Sequence, residues 1–447
     1  MQATGRGHAM GRGLFLILLC LIFSSLVHGQ SLYDLAKTGT AEQVRAAVRA
    51  GSDVNAPDGN GTTALLYAVV NNWPDVVSAV LEAGADANAV DASGRMALHA
   101  SIAGERPIRT VAALLKAGAD PGARDRRGRA ALHIAVLYGG NGAFLAQLLS
   151  SGADVNARDQ LGLTPLMYAV QTFEESRSLY RGNIDLPYGI PERPQPPFLD
   201  MIADLTEAGA QVGMADGNGW TALHFAAQRG RDPEVLRALL EAGADVDAKD
   251  RSGATPLLCV IRSKGNDPRD MERIAVLLEA GADLRAKRAD EAPPLHAAIL
   301  EGRLDVAAAL LEAGADVNGK ARDGLSPLLA VARSCPQRID LSTFLLSAGA
   351  VVDARDEEGK TPLLWAVKND QPGLVSLLLG AGADVKAREK GGGTALLYAF
   401  SNNNPGLTSV LLRAGAEVIR KNQGDGSPLL SAISNCQGPQ ALAIIPC

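Results

Sequence analysis

A chain of 447 residues exceeds what one hydrophobic core can serve, so it has to form several domains or a repeat array. Hydrophobic residues make up 47% but aromatics only 4%, which puts the apolar mass in Ala, Leu and Val and suits thin helical layers packed closely. The formal charge is −6, and no basic stripe appears of the kind that neutralises phosphates. A nucleic-acid partner is therefore not expected.

The N-terminus reads as an address. Arg6 and Arg12 precede an apolar run from Leu14 to Val27, and Val27-His28-Gly29 offers small or aliphatic residues for cleavage after Gly29. Residues 1–29 are predicted to be a signal peptide. The run is short of the about 20 residues that a membrane span needs, and an uncleaved anchor is the alternative reading. Cys20 lies inside the run without the small residues that precede a lipidated cysteine. Helices are then predicted over Ser31–Lys37 and Ala41–Ala50, polar on one side, and residues 30–57 are assigned as an N-terminal cap.

From there one phrase returns along the chain: Leu-Leu-Glu-Ala-Gly-Ala-Asp-Val-Asn-Ala, then Asp-x-x-Gly-x-Thr-Pro-Leu. Its glycine falls at Gly51, Gly84, Gly118, Gly152, Gly209, Gly243, Gly281, Gly314, Gly349, Gly382 and Gly415. Thr361-Pro362-Leu363-Leu364 supplies an N-cap hydroxyl followed by Pro at the first helical position, so a first helix starts there. Val306, Leu310 and Leu311 mark the apolar face of a second helix. Gly314 follows where a left-handed residue would end it, and Asp323-Gly324 supplies a turn that projects as a finger.

A period near 33 with this phrase resembles the ankyrin-repeat family. The resemblance implies an all-α repeat solenoid, a stack of helix-turn-helix units with hairpin-like fingers. Ten repeats are expected over 58–422, with a C-terminal cap at 423–447 that restarts the motif at Ser427-Pro428-Leu429-Leu430. No unit can bury its apolar face alone, so stability must come from stacking on neighbours. The family's Thr-x-Leu-His is complete only at Thr221-Ala222-Leu223-His224; His99, His133 and His296 lack the Thr. Where both are present, the imidazole is expected to link the Thr hydroxyl to neighbouring backbone.

The spacing of 57 between Gly152 and Gly209 marks an insertion at residues 172–198, containing Phe173, Tyr180, Tyr188 and Phe198 with five prolines that forbid helix. Loops longer than about 12 to 15 residues are usually functional or disordered, so both a partner-contacting loop and a tolerated insertion remain open. A smaller insertion, Ser263 to Arg269, reads as plain linker. Beyond the signal segment lie Cys259, Cys335, Cys436 and Cys447. Disulfides are thus not expected to hold the chain together, and only Cys436 with Cys447 is a candidate pair, against free thiols or an intermolecular bond.

No constellation for catalysis stands up. Gly359-Lys360-Thr361 resembles the end of a phosphate-binding loop, but Ala354 stands where its first glycine belongs. The four motif histidines are spaced by whole repeats and cannot converge on a metal. The Asp-x-Asn pairs, such as Asp154 and Asn156, cap turns and lack the glycine and bidentate Glu of a calcium loop. No enzyme activity, cofactor or metal is therefore expected.

The resemblance implies that finger tips and first-helix surfaces, on the concave face, bind a protein partner. The leading expectation is an exported monomeric scaffold, periplasmic or secreted, with no membrane span after cleavage. A secreted effector acting on host proteins by binding is the alternative, and an enzyme with a site in the insertion the least favoured. Tips run from basic at Arg126 and Arg127 to acidic at Asp356, Glu357 and Glu358. Tyr67, Tyr168, Phe225, Trp365 and Tyr398 share one first-helix register, which fits either inter-repeat packing or a binding stripe. The partner-binding candidates are Arg127, Tyr168, Tyr180, Tyr188, Trp220, Phe225, Glu358, Trp365 and Tyr398.

Overall fold

Most first helices begin where the sequence places a hydroxyl ahead of an apolar run. A computed structural model describes residues 31–104, 106–138, 142–171, 198–229, 232–263, 267–287, 292–321, 324–335 and 338–417. These form 22 helices in eleven consecutive pairs, and among the described residues β structure is confined to isolated bridge residues in the fingers, such as Val90 with Met96 and Arg388 with Thr394. The signal segment, the C-terminal cap and the Cys436–Cys447 pair lie outside the described residues.

The chain divides into two compact units, one ending at Gly217 and one beginning at Asn218, with Glu241–Gly243 grouped in the first. The first unit holds α1 (Leu32–Thr38), α2 (Ala41–Arg49), α3 (Ala64–Val70), α4 (Pro74–Glu82), α5 (Ala97–Ala103), α6 (Ile108–Lys116), α7 (Ala131–Leu137), α8 (Gly142–Ser150), α9 (Pro165–Val170) and α10 (Phe198–Glu207). Phe198, assigned to the insertion from sequence, opens α10. The second unit holds α11 (Ala222–Arg229), α12 (Pro233–Glu241), α13 (Pro256–Ile261), α14 (Asp270–Glu279), α15 (Pro294–Leu300), α16 (Leu304–Glu312), α17 (Pro327–Ser334), α18 (Ile339–Ser347), α19 (Pro362–Lys368), α20 (Pro372–Gly380), α21 (Ala395–Ser401) and α22 (Pro405–Arg413).

Capping explains the starts. The hydroxyls of Thr63, Thr164, Ser326, Thr361 and Thr394 each accept the N–H three residues on, at 3.4 Å, where the first turn would otherwise leave donors unpaired. Proline occupies the first turn of α9, α13, α15, α17 and α19, a position that needs no N–H. Second helices end as the repeat phrase predicts: Gly314 and Gly382 have φ of 94° and 87°, a left-handed conformation that glycine adopts without a Cβ penalty. Between the helices of a pair, Asn72, Asp370 and Asn403 adopt φ of 59°, 54° and 52°, which short polar side chains tolerate.

First helices are almost wholly enclosed. In α19, Pro362, Leu363, Leu364, Ala366 and Val367 are all buried, and each fully buried leucine stabilises by about 1.5 to 3 kcal/mol. Second helices bury one stripe, as Val306, Ala307 and Leu310 do in α16, while Leu311 is only half-buried.

Neighbouring repeats are also laced by polar bonds. His99, His133, His224 and His296 place Nε2 at 3.0, 3.1, 3.1 and 2.8 Å from the carbonyls of Arg129, Leu163, Ala254 and Leu325, each at the next finger's exit. Nδ1 of His224 lies 2.9 Å from the Thr221 hydroxyl, the expected Thr–His link. The bond to the neighbour forms with or without that Thr. Burial holds the imidazoles of His99, His133 and His296 below their usual pKa, despite the carbonyls that favour the proton.

A second lacing runs in the opposite direction. The last carbonyls of first helices have no intrahelical donor, and side chains of the following repeat supply one. Arg106 donates to Val70, Arg273 to Ala227 at 2.9 Å, and Arg303 to Val260 and Ile261 at 3.3 and 3.4 Å. Gln371 donates to Ala332 at 3.1 Å and Asn402 to Val367 at 2.7 Å.

The segment read as plain linker takes part in this second lacing. Asp270, fully buried, receives Arg273, Arg303 at 3.0 Å and the Ser263 hydroxyl at 3.1 Å, while Asp267 lies 3.6 Å from Arg273. The small insertion thus anchors a buried ionic cluster, and its two ends are structural.

Candidate interaction surface

Most of the described fingers are opened by an acid that organises them. In the finger before α19, Asp356 Oδ1 accepts the N–H groups of Glu358 and Lys360 at 3.0 and 2.8 Å, and Gly359 N–H returns to the Asp356 carbonyl at 3.0 Å. Asp58, Asp159 and Asp250 make the same pair of bonds in their own fingers. Adjacent tips are then joined by backbone: Ala92 to Asn60, Gln160 to Arg127, Arg251 to Asn218 and Lys390 to Glu358, at 2.9 to 3.0 Å.

The second carboxylate oxygen is where the recurrent aromatic belongs. Tyr67 donates to Asp58 at 2.5 Å, Tyr168 to Asp159 at 2.8 Å, Trp365 to Asp356 at 2.8 Å and Tyr398 to Glu389 at 2.9 Å. In two fingers whose register carries no aromatic, arginine takes the place: Arg95 Nε reaches Asp91 at 2.6 Å and Arg129 Nε reaches Asp125 at 2.8 Å. The aromatic register is therefore a brace between first helix and finger, a role that neither of the two sequence readings anticipated. Its signal was present as an acid nine residues before the aromatic.

Electrostatics follow this wiring. The Tyr67 hydroxyl holds the Asp58 carboxyl below its usual pKa, and Asp58 raises Tyr67 in return. Burial would raise Asp125, but the hydrogen bond and charge of Arg129 outweigh it and keep the carboxyl low. Burial and the bond to Glu389 push Tyr398 up to about 12. Lys360, only 5% exposed, bridges Glu358 and Glu389; burial would lower its pKa, and the two carboxylates raise it instead.

The candidate residues separate clearly. Tyr168 is 2% exposed, edge-on to His133 at 5.3 Å, and Phe225 is 5% exposed, against Trp220 at 5.1 Å. Both are core residues, so neither offers a partner any surface, and the expectation for them is corrected. Tyr180 and Tyr188 lie outside the described residues. Arg127 is half-buried on a first-unit finger. Trp220 is half-buried and donates to Asp250 at 3.2 Å.

Glu358, Trp365 and Tyr398 are brought together in the second unit. Lys368 stands 4.7 Å from the Trp365 ring centre and 5.8 Å from that of Tyr398, and Lys360 and Arg333 lie 5.1 and 5.4 Å from Trp365. The half-buried rings thus keep cations over their faces. Lys360 sits in a finger turn among these groups, not behind a phosphate loop. Among the described residues, no cluster of His, Cys, Asp or Glu has metal-binding geometry, no helix is long and apolar enough to cross a membrane, and neither Cys259 nor Cys335 is in a disulfide.

A family model described as ankyrin repeats in three copies matches residues 32–125, 103–179, 197–288, 295–389, 328–425 and 363–443. Among solved structures, the chain is similar to the crystal structure of the ankyrin repeat domain of Bcl-3, titled a unique member of the IkappaB protein family. That likeness has 28% identity and a TM-score of 0.44, over 56% of this chain and 97% of that one. With helix pairs, glycine-ended second helices and stitched fingers among the described residues of the matched segments, the chain belongs to the ankyrin-repeat family.

Proposed function

We propose that this protein is an exported, non-catalytic scaffold that holds a protein partner on the face made by its finger tips and first helices. Ankyrin repeats indicate a protein-interaction scaffold. The observation that carries the siting is the stitching of the fingers: their backbone and acid groups are satisfied internally, so the tip side chains are displayed from an ordered frame. Leu161, 65% exposed, and Glu358, also exposed, are such side chains. A frame ordered in advance reduces the entropy lost on binding. Export rests on the basic, apolar and small-residue order of residues 1–29.

A photoreactive amino acid placed at Leu161 or Glu358, and separately at the exposed second-helix residues Thr343 and Ser376, tests the siting. A partner cross-linked from the tips and not from the second helices supports it; equal cross-linking from both, or adducts from the second helices alone, refutes it. Deleting residues 1–29 should retain the protein inside the producing cell, and unchanged export would overturn that part of the reading.

A further inference from the structure

The first-unit finger at residues 124–130 is rich in arginine and net positive, opposite in sign to the chain as a whole. Arg124, Arg126 and Arg158 are exposed, and each guanidinium is fixed by carbonyls. Arg124 donates to Gly128 at 2.8 Å and to Arg158, Arg126 donates to Ala92, and Arg158 donates to Ala215 at 2.6 Å. A carbonyl positions a guanidinium without neutralising it. Arg129, on the same finger as Arg126, and Arg95, one finger earlier, are by contrast paired with Asp125 at 2.7 Å and Asp91 at 2.6 Å. No carboxylate among the described residues lies within ion-pair distance of the other three.

Two further observations make this a shaped surface. Gln160 locks the two fingers together, its N–H on the Arg127 carbonyl and its side-chain amide on the Arg126 carbonyl, both at 2.9 Å. On the finger so locked stands Leu161, the most exposed large apolar side chain among the described residues. Exposed leucine beside ordered, un-neutralised guanidinium groups is a combination that a nucleic-acid backbone would not use, and the net charge of −6 repels phosphates at a distance.

We propose that this tip row docks an acidic polypeptide segment bearing an apolar side chain, its carboxylates on Arg124, Arg126 and Arg158 and its apolar group on Leu161. The inference rests on the scaffold reading above and names the partner's chemistry. A guanidinium has five donors and binds a carboxylate through two parallel bonds. Only some of those donors are used by the carbonyls, and the side-chain entropy is already lost, so a carboxylate gains most of the available attraction.

The test measures binding of a fluorescein-labelled twelve-residue peptide, (Glu-Glu-Leu) repeated, to the full chain, beside the matching Lys peptide and a single-stranded DNA of equal length. The Glu peptide should bind, and should weaken about tenfold or more on raising sodium chloride from about 50 to 300 mM, as screened charges do. The triple variant R124Q/R126Q/R158Q keeps amide donors for the carbonyls and removes the charge; it should lose at least tenfold. Leu161→Ser, which disturbs no buried contact, should lose several-fold and covers the case in which the triple variant melts early. Equal binding of the Glu peptide to parent and triple variant, no effect of Leu161→Ser, or DNA binding as tight as the peptide would overturn the proposal. A partner cross-linked from Glu358 in a protein that ignores the Glu peptide would overturn it too, while leaving the scaffold reading intact.

Discussion

Replacing Asp356 with alanine removes three hydrogen bonds at once: Glu358 N–H at 3.0 Å, Lys360 N–H at 2.8 Å and Trp365 Nε1 at 2.8 Å. At about 1 kcal/mol each for half-exposed bonds, the finger should lose roughly 3 kcal/mol of local stability. Trp365→Phe removes only the third and should cost about 1 kcal/mol. Because the two changes delete one shared bond, the double variant should cost about 1 kcal/mol less than their sum. A repeat array need not unfold in one step, so the suitable assay is hydrogen exchange of the Glu358 and Lys360 amides, which reads the finger alone. A loss of about 3 kcal/mol corresponds to exchange roughly 100-fold faster. Exchange accelerated less than about threefold in Asp356→Ala, or strict additivity in the double variant, would show that the brace does not hold the finger.

Stability should fall in acid through the histidines. His99, His133 and His296 have depressed pKa values in the fold, so the unfolded chain takes up protons near pH 6.5 that the folded chain resists. Their contribution is complete above that pH and is lost as pH drops below it. Replacing all three by Leu, which other repeats carry at this register, should flatten the urea midpoint between pH 7.5 and 5; a slope unchanged from the parent would contradict the assignment. Gly314→Ala should cost about 1 kcal/mol, because a Cβ there meets nothing and only the positive φ opposes it. Gly219→Ala should cost about 3 kcal/mol, since its Cβ would also lie 2.7 Å from the Arg251 backbone nitrogen; thermal melts that rank the two the other way would refute this. Asp270→Ala leaves Arg273 and Arg303 buried without their shared carboxylate and should cost roughly 3 to 5 kcal/mol in denaturant unfolding. A loss below about 1 kcal/mol would mean the cluster is not a stabilising centre.

What could be read in the sequence was whatever repeats locally. Thr361 capping Leu364 and Gly314 ending α16 each follow from a few adjacent residues, and both stand as expected. What was not legible acts across a repeat. The donor from Arg303 to the end of α13 joins residues 42 and 43 apart, and no short-range pattern distinguishes it from a surface arginine. Tyr168 and Phe225 share a register with half-buried Trp365, so sequence alone could not show that the first two are enclosed. The brace was legible in principle, as Asp159 to Tyr168 and Glu389 to Tyr398 keep the same spacing as Asp356 to Trp365.

The two lacings give the array a polarity that stacking alone would not. Cutting after a repeat removes the arginine, asparagine or glutamine that completes its first helix, leaving backbone carbonyls and a histidine bare at the new end. Cutting before a repeat leaves the reverse, one finger-exit carbonyl and a charged or amide side chain that water can satisfy at little cost. Shortening from the N-terminal side should therefore be tolerated better than shortening from the C-terminal side. During synthesis, too, each repeat would stay unfinished at its helix end until its successor folds against it.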